Sequence, residues 1–266
     1  MENDEDFTFS IEGKDYSISE KKNTPEKRNK QTLHVPSLGI GAIIAGICIV
    51  GVFFGLGDFS ESSEILIEKQ FVEEKQTPIE ISIDTFLANG SPVLGIPNAP
   101  ITLVEFGDYQ CHFCHVYFEN TEKRIFEQYV KTGKVNMVFK DYNIIGPDSV
   151  RASHAAQCAG DQNKFWEYHH TLFHNYDGEN SGWVTQDNLN VFAEGLGLDM
   201  EEFEKCTIQL KFAEKVSKSN EDASALGITG TPAFYIISAN TGQVQHVQGA
   251  QPYEVFERIF DSMLES

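Results

Sequence analysis

Basic residues are scarce in this chain. Lysine and arginine number 20 against 40 aspartates and glutamates, a formal net charge of −20 over 266 residues. Nucleic-acid binding needs Lys and Arg concentrated against phosphate, so the composition argues against that class of partner. The acidity reads most simply as a solubility device, with a high-salt habitat or basic clients as the sharper alternatives. Cysteine is sparse as well. Five in a chain of this length do not make a disulfide-dense miniprotein, while the 41% hydrophobic content suffices for a packed core.

Long apolar runs are almost absent, and the exception is informative. Residues 38–57, LGIGAIIAGICIVGVFFGLG, carry no charge, and at about 1.5 Å per residue they span roughly 30 Å, the thickness of a hydrocarbon core. Lys21, Lys22, Lys27, Arg28 and Lys30 precede the run, and Asp58, Glu61, Glu64 and Glu68 follow it. This asymmetry predicts a cytoplasmic N-terminus and an extracytoplasmic C-terminal bulk. A cleaved signal peptide is the rival reading, but 37 residues stand before the run and the exit Gly55-Leu56-Gly57-Asp58-Phe59 is a poor cleavage site. Cys48 within the run reads as a small apolar residue.

The expected organisation follows from these boundaries. Residues 1–37 read as a disordered cytoplasmic tail, 38–57 as a transmembrane signal anchor, 58–78 as an acidic linker, and 79–266 as the folded domain on the oxidising side. Localisation is therefore expected at the cell membrane, single-pass, with the domain outside. No dimerisation segment is visible, so a monomeric ectodomain is expected.

Within 79–266 the pattern alternates. Residues 101–108, ITLVEFGD, read as a buried strand closed by Gly-Asp. Val116, Phe118, Ile125, Phe126, Tyr129 and Val130 then show helical spacing. Lys131-Thr132-Gly133-Lys134 reads as a turn and residues 135–139 as a second strand, completing a right-handed βαβ unit with parallel strands. Residues from about 148 to 226 are helical, with segments at 150–160, 165–174, 189–195 and 200–218. Strands return at 233–237 and 244–247 around Asn240-Thr241-Gly242. A helix over 254–264 closes the domain, with Val255, Phe256, Ile259, Phe260, Met263 and Leu264 inward. The fold class is α/β: a thioredoxin-like core with a helical insertion, preceded by one N-terminal transmembrane helix.

Cys111-His112-Phe113-Cys114 sits where the first strand gives way to the helix. Free N–H groups and the helix dipole favour a thiolate at such a place, and a CxxC there can cycle between dithiol and disulfide. Alone, the motif also fits half a metal site.

The run Val104-Glu105-Phe106-Gly107-Asp108-Tyr109-Gln110-Cys111, with Cys114 and the distant Gly227-Ile228-Thr229-Gly230-Thr231-Pro232-Ala233-Phe234, resembles the DsbA-like thiol:disulfide oxidoreductases, in their membrane-anchored or exported branch. The resemblance covers about 79–266. Ser91-Pro92-Val93-Leu94-Gly95 and Pro97-Asn98-Ala99-Pro100 look like the opening of that fold. The resemblance implies a cis peptide at Thr231–Pro232 beside the cysteines, with Thr231 presenting backbone to an extended substrate. It also implies that Glu105, six residues before Cys111, assists proton transfer to the buried cysteine; the alternative is a strand-edge carboxylate facing water.

In exchange chemistry Cys111 would be the attacked sulfur and exposed nucleophile, and Cys114 the buried resolving one. His112-Phe113 departs from relatives that carry Pro first, or Pro-His. His112 either stabilises the Cys111 thiolate or only shapes substrate contact, and His115 either packs or faces solvent. Many relatives of this branch carry a pair corresponding to Cys158 and Cys206 that can form a second disulfide. A bridge there would close a loop of nearly fifty residues, worth roughly 4 kcal/mol; two separately buried thiols are the alternative. Residues 165–170, FWEYHH, match the family's Phe-Trp helix and read as core plus surface histidines. A metal site at His169, His170 and His174 is the weaker reading, so no metal and no cofactor are expected.

The expected function is an extracytoplasmic dithiol oxidase acting on exported polypeptides with free cysteines. From the family comes a quinone-linked membrane partner as its reoxidant. A reductase or isomerase of the same fold is the alternative, and a non-enzymatic client- or metal-binding module is the third.

Overall fold

The computed structural model describes residues 7–11, 14–18 and 83–266. Strands β1 (Phe7–Ile11) and β2 (Lys14–Ile18) form an antiparallel pair with Phe9 opposite Tyr16. This pair falls in the stretch read as a disordered tail; the rest of that tail, the anchor 38–57 and the linker 58–78 lie outside the described residues. Among the described residues no helix is long and apolar enough to cross a membrane.

Strands β3 (Ile101–Gly107), β4 (Val135–Asp141), β5 (Ala233–Ser238) and β6 (Val244–Gln248) make a mixed sheet in the order β4-β3-β5-β6. β4 runs parallel to β3, while β5 runs antiparallel to it. On the outer side of β4, Leu94 pairs with Met137 through reciprocal 2.9 Å backbone hydrogen bonds. The 91–95 segment thus joins the sheet edge.

Side-chain alternation splits the core in two. Ile101, Leu103, Met137, Phe139, Phe234 and Ile236 face the larger core, with the active-site helix and the insertion. Val104, Phe106, Val138, Ala233 and Ile237 face a smaller one with Phe86 of α1 (Ile83–Leu87) and Ala223 of the insertion. Glu105, between Leu103 and Gly107 on the first face, is thereby aimed into the larger core.

The helix after β3 is not a plain α-helix. α2 (His112–Tyr117) passes through wide π-type turns at Phe118–Glu122 and Phe126–Val130, on either side of α3 (Lys123–Ile125). Its buried positions are Cys114, Tyr117, Phe118, Thr121, Glu122, Ile125, Phe126, Tyr129 and Val130, a row repeating every four residues. At 3.6 residues per turn such a row drifts by about 40° every four residues. The wide turns cancel the drift and keep the row on the core. Val116, part of the helical spacing, is only half-buried.

The insertion holds α4 (Pro147–Asp161), α5 (Phe165–His174), α6 (Gln186–Gly195), α7 (Met200–Ile208) and α8 (Ala213–Ala225). Pro147 opens α4 at its first turn, and the side chains of Thr185 and Asp199 cap α6 and α7. The single helix expected over 200–218 is two, because Leu210 adopts a φ of 50° that ends the first. The closing helix α9 (Tyr253–Leu264) buries Tyr253, Phe256, Phe260 and Met263, leaving Val255, Ile259 and Leu264 partly covered.

Candidate active site

Cys111 caps the N-terminus of α2. Its N–H donates to the Asp108 carbonyl at 2.9 Å, and its own carbonyl accepts from the His115 N–H at 3.1 Å. Asp108 is fully buried and clamps the loop. Its carboxylate accepts from the N–H groups of Gln110 at 2.9 Å, Ile144 at 2.8 Å and Ile145 at 3.0 Å. Gln110 extends the clamp by donating to Ser149 Oγ at 3.1 Å and accepting from the Asn180 N–H at 3.0 Å. The insertion therefore fixes the loop carrying the cysteines.

The structure brings the distant proline loop to the same point. The Thr231–Pro232 peptide is cis, and the Cys111 thiol donates to the Thr231 carbonyl at 3.3 Å. Cys111 and Cys114 are both free thiols and both are buried: Cys111, expected as the exposed nucleophile, is 4% exposed because it sits against the Thr231 carbonyl, and Cys114 is fully enclosed. Cys114 Sγ accepts from the Asp108 N–H at 3.5 Å.

The electrostatics separate the two sulfurs. The Cys114 thiol, hydrogen-bonding to Cys111, pulls the Cys111 thiol down to about 6 against the cost of burial, with Thr231 and the backbone N–H groups of Cys114 and Phe113 adding to it. The Thr231 hydroxyl is buried without a hydrogen-bond partner, a donor for a thiolate that a carbonyl cannot serve. Burial pushes Cys114 well up, and its hydrogen bond to Cys111 and the charges of Cys111 and Glu105 push the same way. One sulfur is thus a ready thiolate and the other a retained thiol.

Glu105 is 3% exposed, which rules out the water-facing alternative. Burial raises its carboxyl well above the usual range, and the Glu122 and Cys111 charges raise it further. Gly107 leaves it room: a Cβ there would lie 2.5 Å from the Phe139 ring and 3.1 Å from Glu105 Oε1.

His112 and Phe113 are exposed beside Cys111, Phe113 at 60%. The His112 N–H donates to the Glu179 carboxylate at 3.0 Å. His115 packs rather than facing solvent, its Nδ1 lying 3.1 Å from the Phe173 carbonyl and its ring stacked on Tyr176. Away from the site, Cys158 and Cys206 form a disulfide with an S–S distance of 2.03 Å.

The 165–170 segment departs from the expectation of surface histidines. His169 and His170 are both buried, gathered around Glu122, a residue absent from the sequence reading. No group of three or more His, Cys, Asp or Glu suited to a metal ion is found among the described residues.

The chain is similar to several known proteins. A family model described as thioredoxin matches residues 87–261. The probable disulfide bond formation protein D of Bacillus cereus is 33% identical over 147 residues, 54% of this chain and 68% of that protein. The chain belongs to the thioredoxin family, as a DsbA-like thiol:disulfide oxidoreductase. The disulfide bond formation protein D of Bacillus subtilis is 31% identical to this oxidoreductase over 150 residues, 55% of this chain and 68% of that protein. Oxidised BdbD from Bacillus subtilis matches its fold with a TM-score of 0.61 at 26% identity, covering 70% of this chain and 96% of that one. Alpha-DsbA1 of Wolbachia pipientis shares the fold at a TM-score of 0.60 and 23% identity, over 66% of this chain and 92% of that one.

Proposed function

We propose that this oxidoreductase works as a dithiol oxidase outside the cytoplasm, transferring the Cys111–Cys114 disulfide to exported polypeptides with free cysteines. The observation that carries this reading is the Cys111 thiol lowered to about 6 beside Thr231. A stabilised thiolate favours the reduced pair, which makes the disulfide a stronger oxidant.

A client thiolate attacks Cys111 Sγ, and the Cys111–Cys114 bond breaks with its electrons on Cys114. Glu105, kept neutral by its surroundings, gives that sulfur its proton. A second client thiolate then attacks the client sulfur of the mixed disulfide, and Cys111 leaves as the stable thiolate. Thr231 and Pro232 hold the client in extended form, while His112 and Phe113 shape contact around the exchange point. No cofactor takes part.

Residues 38–57 serve as the anchor, with 1–37 inside and 58–78 as the spacer, so that a monomeric domain works at the membrane surface. A quinone-linked membrane partner reoxidises the pair. The direct test mixes the oxidised full chain with a reduced, unfolded polypeptide bearing two cysteines. Client disulfide should form in step with loss of the Cys111–Cys114 bond, and Cys111→Ser should abolish it. Retained oxidation in that variant would refute the assignment.

A further inference from the structure

We propose that Glu122, held between His169 and His170, is a positioning residue of the redox centre: it fixes a negative charge in the core that acts on the Cys111–Cys114 exchange through Glu105. The proposal rests on the reading of Glu105 as the proton carrier for Cys114.

Glu122 ends the first wide turn and lies on the four-residue row that faces the core. With regular 3.6-residue turns the row would wind away from the core before the helix ended. The residue is 4% exposed. Its Oε1 lies 3.2 Å from His170 Nε2 and its Oε2 lies 3.9 Å from His169 Nε2. The other nitrogen of His169 is 3.1 Å from the hydroxyl of Tyr109, two residues before Cys111. His169 itself is fully buried, its ring against Phe139, Phe165, Trp166 and Phe173. The clamp is therefore built on one side into the active-site loop and on the other into α5.

A carboxylate in such a place is costly unless paired. Here, against that cost, hydrogen bonds and charge from His169 and His170 hold the Glu122 carboxyl well below the usual range. The groups that feel its charge are His169 and His170 of α5, Glu105 of β3, Tyr109 of the loop and Tyr117 on its own helical run; His174 bears on His169. Glu105 Oε1, Tyr117 Oη and Glu122 Oε2 are buried without hydrogen-bond partners. Both carboxyls thus keep an unpartnered oxygen in the core, and the Glu122 charge adds to the burial that opposes ionisation of Glu105.

The consequence is chemical. As the client sulfur bonds to Cys111 Sγ, the Cys111–Cys114 bond breaks and its electron pair goes to Cys114 Sγ. The proton that neutralises Cys114 comes from Glu105, which becomes a carboxylate and recovers a proton from solvent after the client leaves. Glu105 can do this only if it enters the step protonated, a condition that burial sets first and the Glu122 charge reinforces.

The test is Glu122→Gln in the full chain, which keeps the shape and an acceptor for His170 but removes the charge. The readouts are the Glu105 carboxyl titration by carbon NMR and the pH profile of client oxidation. The expected result is a Glu105 midpoint lower by about one pH unit or more, with the alkaline limb of the profile moving down by the same amount. Glu105→Gln should lack that limb, and adding Glu122→Gln to it should change nothing further. A folded Glu122→Gln with an unmoved midpoint and profile overturns the proposal while leaving Glu105 in its role. A limb that survives in Glu105→Gln overturns the reading of Glu105 itself. If Glu122→Gln does not fold, Glu122→Met carries the test: it removes the same charge from a side chain of similar length, and the limb must move in the same downward direction.

Discussion

The sulfur of Cys111 lies 3.3 Å from the carbonyl oxygen of Thr231, 120 residues further along the chain. This contact joins the start of the active-site helix to the strand end of β5 on the neighbouring side of the sheet. It places the reactive sulfur against backbone that an extended polypeptide can pair with. Recognition and exchange thus meet at one point.

The two cysteines should titrate far apart. In the reduced protein, alkylation of Cys111 should follow a single group with a midpoint of about 6, while Cys114 stays unreactive until strongly alkaline pH. The sign for stability follows from the depressed thiol. Its contribution is fully present above the ordinary value of 9.0 and is lost as pH falls through about 6. The melting temperature of the reduced form, measured relative to the oxidised form, should therefore rise between those limits. A flat difference would contradict the assigned thiolate.

The Cys158–Cys206 bridge staples α4 to α7 across 48 residues of sequence. Replacing both by alanine should cost about 4 kcal/mol, the chain-entropy value for a loop of that size, measured by denaturant unfolding. Client oxidation below the lowered melting temperature should persist. Loss of exchange in a folded double variant would show that the bridge does more than hold the insertion.

Lys140 is completely enclosed, with its ammonium 2.6 Å from Asp222 and donating to the Thr85 and Ala88 carbonyls at 2.8 and 2.6 Å. Asp222→Asn leaves that cation without its counter-charge. Because the Asp222 side chain is 23% exposed, the expected loss is about 2 kcal/mol, below the range for fully buried pairs. Adding Lys140→Met should recover part of it in urea titration.

What is legible in the sequence is what local pattern encodes. β3, β4 and β5 announce themselves by β-branched apolar runs between Gly, Asp and Asn breaks, and Cys111 follows from where the strand stops. Glu122 stays hidden for a physical reason. An acid on a four-residue row along a regular helix reads as drifting to the surface, and only the π-type turns return it to the core. His169 and His170 share that fate, since their burial depends on Glu122 waiting across the interface. Tight spacing at 117–118, 121–122, 125–126 and 129–130, each pair four residues on, is the signal that a wider helix was required. Leu210 hides differently: nothing in its chemistry favours a positive φ, so no local signal marks the break it makes.

The reduction potential of the Cys111–Cys114 pair, measured against a glutathione buffer, bears most directly on the claim that this domain is an oxidase. An oxidase requires a value well above that of thioredoxin, on the side of DsbA at about −120 mV. A value at or below about −270 mV would mean that the thiolate at Cys111 does not poise the pair for oxidation, and the domain would be a reductant.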